Sequence, residues 1–143
     1  MSITLSRYPA PEQTEALQAP IAQHIRIGGH LLSADVSVPE GGGDLGPSPH
    51  DLYDAALGAC KALTVLWYAR RRQIPLEQVE TVIARDDSDE RKGSYRLEAV
   101  LRLGGPLTDA QVQELESVAA KCPVHKLMTQ VTTEITTRAE RLA

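Results

Sequence analysis

Two residues stand out as able to do covalent chemistry. Cys60 and Cys122 are the only cysteines among 143 residues. A chain of this composition with two thiols points by default to the reducing cytosol, where cysteine pairs are more often catalytic or sensing than structural. Cys60 lies in an apolar run from Ala55 to Ala69 that is interrupted by Lys61. At helical spacing it shares a face with Tyr53, Ala56, Leu57, Leu63, Thr64 and Trp67. Taken alone, such a residue is first of all a small core hydrophobe. Cys122 precedes Pro123, which places it at a helix N-terminus, where backbone N–H groups and the helix dipole favour a thiolate. Lys121 and His125 are its nearest cationic or proton-carrying neighbours in sequence. Two such thiols fit a peroxidatic and resolving pair, with a sulfenic acid condensing to a disulfide. Cys122-Pro123-Val124-His125 is also C-x-x-H, half of a zinc site, which only Cys60 and scattered histidines could complete.

The elements that must position these thiols follow from the local signals. Ser48-Pro49-His50-Asp51 carries an N-cap, a proline at the first helical position and an S-x-x-D capping box. It predicts a helix from Pro49 to about Arg71, apolar on most sides and hence central, with Arg70, Arg71 and Arg72 on the negative end of its dipole. His50 and Asp51 are then helix-start residues, about 15 Å along the axis from Cys60. Thr108-Asp109-Ala110-Gln111 opens a second helix that stops before Cys122-Pro123, and Pro123 opens a short third one through Leu127 and Met128. Strands are expected at Ile3–Tyr8, at His24–Ile27 and His30–Val36 joined by Gly28-Gly29, at Val79–Asp86 paired with Ser94–Leu103, and at Gln130–Thr137. Pro9 to Pro20 reads as a connection with a helical turn at Glu12 to Leu17. Gly41-Gly42-Gly43, flanked by Asp35 and Asp44, matches no phosphate-binding fingerprint and supplies turn conformations. The acidic stretch Asp86 to Glu90 lacks the later Gly and Glu of a calcium loop and reads as a solvated turn. The order of elements is α+β in one domain over residues 1–143.

Composition narrows the partners. Hydrophobic residues make up 42% and charged residues 24%, as in ordinary globular domains. A net charge of -4 leaves no basic footprint for nucleic acid, and 3% aromatics, with no Phe, leave no stacking platform. No apolar run reaches the length of a membrane span, and Met1 to Tyr8 alternates where a secretion signal would be continuously apolar. Cytoplasmic location is therefore expected.

Gly42-Gly43-Asp44-Leu45-Gly46-Pro47-Ser48-Pro49-His50-Asp51-Leu52, then Ala55 through Cys60, then Ala119-Ala120-Lys121-Cys122-Pro123-Val124-His125 resembles the OsmC/Ohr group of osmotically induced and organic-hydroperoxide-resistance proteins. Trp67-Tyr68-Ala69 and Ile74 to Val79 extend the resemblance, which runs from about His24 to Thr137. It implies an α+β fold in which two central helices pack against antiparallel sheets of two intertwined subunits, with both thiols near the interface of a homodimer. It implies a cysteine peroxidase for organic hydroperoxides, with hydrogen peroxide as a further substrate. Cys60 is the peroxidatic nucleophile, Cys122 resolves it, and a dithiol, either a lipoylated protein or a small thiol, reduces the disulfide. No cofactor, metal, nucleic acid or membrane is called for. Relatives activate the thiolate with an Arg from the N-terminal strands, for which Arg26 is the candidate here. They also carry a Glu just after the helix-opening Pro, where this sequence has His50, followed by Asp51. The alternative reading is a non-enzymatic OsmC-like protein that senses redox state or holds a small apolar ligand.

Overall fold

The computed structural model describes residues 2–7 and 19–142. The chain forms two compact units, Met1–Ala55 and Ala56–Ala143. The helical turn expected at Glu12 to Leu17, and Tyr8 at the end of the first expected strand, lie outside the described residues.

The first unit carries an antiparallel sheet of β1 (Ile3–Arg7), β2 (Gln23–Ile27) and β3 (His30–Ala34), in that order. Its register pairs Leu5 with Ile25 and Ile25 with Leu32. Gly28, at φ 57°, makes the tight turn between β2 and β3 that the Gly-Gly pair predicts. The glycine-rich segment after β3 folds around one buried acid. Asp35 Oδ1 accepts the Val36 N–H at 2.8 Å, and Oδ2 accepts those of Gly43 and Leu45 at 3.0 and 3.1 Å. A side chain at Gly42 would stand 2.3 Å from the Val36 carbonyl oxygen, so only glycine fits there. The loop ends at Ser48, whose hydroxyl accepts the Asp51 N–H at 3.1 Å while the Asp51 carboxylate accepts the Ser48 N–H at 3.0 Å. That is the expected capping box. It opens α1 (Pro49–Arg72), 24 residues long, which continues into the second unit.

The second unit joins the rest of α1 to a two-stranded antiparallel ladder, β4 (Gln78–Asp86) with β5 (Arg96–Gly104), and to α2 (Asp109–Ala119) and α3 (Pro123–Gln130). Thr108 caps α2 through the expected reciprocal bonds with Gln111. Val65, Ala69, Leu115 and Ala119 are the buried core, with Tyr68, Ile74, Leu76, Val79, Leu101 and Leu103 packed on it. Gly58 brings α1 close to β4, because a Cβ there would meet Ile83 Cγ1 at 3.0 Å.

Two expectations are corrected. Gln130 ends α3 and residues 132–142 have no regular structure, so the strand expected at Gln130–Thr137 is absent. Val131 is extended (φ -111°, ψ 131°), but Thr/Val/Ile content forms a strand only against a hydrogen-bonded neighbour, and Ile135 is 81% exposed. Nor is α1 covered on all sides. One stripe, Asp54, Leu57, Lys61, Val65 and Ala69, is buried, while Ala56, Ala59, Leu63, Leu66 and Trp67 form an exposed stripe. Two helices and a two-stranded ladder cover only one side of such a helix. Among the described residues, no helix is long and apolar enough to cross a membrane.

Candidate functional site

Both cysteines belong to the second unit, and both are free thiols. Cys60 sits midway along α1, half-buried, on the border between the covered and the exposed stripes. Cys122 is the N-cap of α3, in extended geometry (φ -63°, ψ 150°), with Pro123 at the first helical position as predicted. It is fully buried, at 0% exposure. Lysine and histidine connect the two segments. Lys61, adjacent to Cys60 and only 5% exposed, donates to the Ala119 carbonyl at 2.8 Å. The Cys122 N–H donates to that same oxygen at 3.4 Å. Lys61 Nζ also lies 3.1 Å from His125 Nδ1. An ammonium has only protons to give, so a charged Lys61 requires Nδ1 as the acceptor in this contact. The turn of α1 that bears Cys60 is thereby tied to the α2–α3 corner that bears Cys122.

Lys61 is the residue that sequence reasoning passed over. It entered as an interruption of an apolar run, and its partners lie 58 and 64 residues away. A lone cation at a buried helical position was the available signal. His125, expected as a proton-carrying neighbour of Cys122, has its Nδ1 against Lys61 Nζ.

Leu57, Lys61, Leu97, Leu101, Val112 and His125 contribute to the wall of a cavity of about 500 Å³ between α1, β5 and α2. Tyr68 donates to Glu114 at 2.6 Å on the same two helices. Accepting that phenolic proton at its carboxylate raises the Tyr68 pKa above its usual value.

The remaining candidates lie in the first unit. Arg26 is exposed on β2, opposite Thr4 and Leu31 in the register. His50 is exposed in the first turn of α1, and the Asp51 carboxylate is engaged by the capping box. Among the described residues, no group of three His, Cys, Asp or Glu side chains is placed to hold a metal ion.

Solved structures share this fold. An OsmC-like protein from Mycoplasma pneumoniae superposes with a TM-score of 0.68 at 15% identity, over 91% of this chain and 87% of that one. The organic hydroperoxide resistance protein OhrB of Bacillus subtilis gives 0.57 at 20% identity, covering 91% and 92%. An organic hydroperoxide resistance protein OsmC from Legionella pneumophila gives 0.60 at 18%, covering 91% and 90%. No curated protein matches the sequence. The family model of OsmC-like proteins matches residues 41–138, which hold the glycine-rich loop, both cysteines and every element of the second unit. The chain belongs to the OsmC-like family.

Proposed function

We propose that the chain is a homodimeric cysteine peroxidase for organic hydroperoxides. The observation that carries this reading is the tie from Lys61 to Ala119, which joins the segments bearing two free thiols in a member of this family. The Cys60 thiolate attacks the terminal peroxide oxygen; the O–O bond breaks, and the alkoxide leaves as an alcohol after taking a proton. Cys60 is then a sulfenic acid. The Cys122 thiol displaces its hydroxyl as water, giving a Cys60–Cys122 disulfide. A dithiol, free or on a lipoylated protein, reduces that disulfide and is itself oxidised to a disulfide. Arg26 supplies the positive charge that favours the thiolate, and His50 with Asp51 occupies the place of the family's carboxylate. A second copy of the chain would cover the exposed stripe of Leu63, Leu66 and Trp67 beside Cys60, and this supports the dimer.

Stopped-flow mixing of the reduced protein with an alkyl hydroperoxide tests the reading. One equivalent should be consumed much faster than by free thiol, with a mass loss of about 2 Da per chain. Cys60→Ser should abolish the reaction, whereas Cys122→Ser should stop at a dimedone-trappable sulfenate. Rates no better than free thiol, or wild-type rates from Cys60→Ser, would refute it. The full burial of Cys122 favours a second reading, a sensing disulfide that forms once and does not turn over. Disulfide formation without catalytic turnover in the presence of dithiol would select it.

A further inference from the structure

Lys61 is the one buried lysine among the described residues. A cation withdrawn from water is costly unless an anion faces it. Its two acceptors, the Ala119 carbonyl and the His125 imidazole, are both neutral, and no carboxylate of the described residues lies within ion-pair distance. An ammonium has three protons, and these two partners take only two of them. The same side chain forms part of the wall of the cavity of about 500 Å³, a size typical of small-molecule sites. Away from Lys61, His125 and Glu116 the wall is aliphatic: Leu57 from α1, Leu97, Ala99, Leu101 and Leu103 along one face of β5, and Val112 from α2. No Phe, Tyr or Trp lines it, and the one ring in the wall, the His125 imidazole, is held on Lys61, so the surface left for a ligand favours a flexible alkyl chain over a flat one. The one acidic wall residue, Glu116, is exposed, and it would repel a second anionic group.

We propose that this cavity binds an aliphatic monocarboxylate, its carboxylate on the Lys61 ammonium and its chain along the Leu97–Leu103 face of β5. The carboxylate accepts the third ammonium proton and supplies the missing counter-charge. The alkyl chain covers side chains that are only half-buried in the chain itself. The assignment stands on Lys61 and the cavity, not on thiol chemistry. Because binding is measured without peroxide, its failure and the failure of the peroxidase reading are separate results.

Calorimetric titration of the reduced full-length protein compares decanoate with 1-decanol. Decanoate should bind once per chain, at least about tenfold more tightly than the alcohol, the ratio expected for one charged hydrogen bond. Lys61→Met should bring the two ligands to within about twofold of each other. Ala99→Trp, which fills the cavity and leaves Lys61 in place, should weaken both by at least about tenfold. Equal affinity of acid and alcohol for the wild-type protein would overturn the proposal, even if Lys61→Met failed to fold. So would decanoate binding that survives Ala99→Trp unchanged, or no decanoate binding at about 1 mM, a concentration where any ligand held by more than ~4 kcal/mol would register.

Discussion

Asp35 in the first unit and Lys61 in the second are both buried charges, and the two are solved in opposite ways. In the first unit Asp35 spends both carboxylate oxygens on backbone N–H groups of its own loop, those of Val36, Gly43 and Leu45. The anion is solvated by the peptide it organises. In the second unit Lys61 reaches across helices to a carbonyl and an imidazole, and no anion of the described residues answers it. A buried charge met by local backbone is a device for folding a loop. One left with neutral partners beside a cavity is kept for something that arrives. The contrast suggests a general way to sort buried ionisable groups: count whether the partners come with the fold.

The contrast can be broken by stability measurements. Asp35→Ala should cost about 3 kcal/mol in chemical denaturation, because three backbone donors lose a charged acceptor at once. If the loss is below ~1 kcal/mol, Asp35 is not the organiser of its loop. Burial alone would raise the Asp35 pKa, but the three N–H bonds outweigh it and hold the pKa below the ordinary 3.8. A lowered folded pKa means a stabilisation fully present above pH ~4 and lost as the pH falls through the lower, folded-state value. Wild-type stability should therefore fall below pH ~4 more steeply than that of Asp35→Asn, as followed by denaturant titration at stepped pH. Lys61→Met should lie within about 1 kcal/mol of wild type, since replacing an uncompensated buried charge by an apolar side chain of similar length is often neutral or stabilising. A loss of ~3 kcal/mol would put Lys61 in the same class as Asp35. The smallest effect is expected at Thr81, whose hydroxyl oxygen is buried without a hydrogen-bond partner. Thr81→Val should raise stability by up to about 1 kcal/mol, read as a small increase in the denaturation midpoint.

What the sequence disclosed about the fold was punctuation. Ser48-Pro49 with Asp51, Thr108 with Gln111, Gly28 in its turn and Cys122 before Pro123 each act within a few residues, and each is found where expected. The ladder of β4 and β5 was legible because two alternating runs flank one charged turn. Features that depend on distant partners were not. Thr132 to Thr137 has the composition of a strand, yet a strand is a relation between two segments, and no segment of the described residues takes the other side. Apolar residues around the whole circumference of α1 made it look enclosed, although among the described residues only one stripe of it is buried. Of the site, the motif located both thiols, but the bond that connects their segments spans 58 residues, and no local pattern encodes it. The placement of Lys61 was visible only as an anomaly.

The different burial of the two thiols gives the molecule two chemical clocks. Cys60 is the more exposed of the two, whereas Cys122, at 0% exposure, can meet an alkylating reagent only through a local opening of the chain around it. When reclosure is fast, the labelling rate of Cys122 relative to an exposed thiol measures the free energy of that local opening, much as hydrogen exchange does for an amide. The chain thus carries its own reporter of how often the lysine-bridged corner comes apart, and that frequency sets an upper limit on how fast Cys122 can react with anything that must approach from solvent.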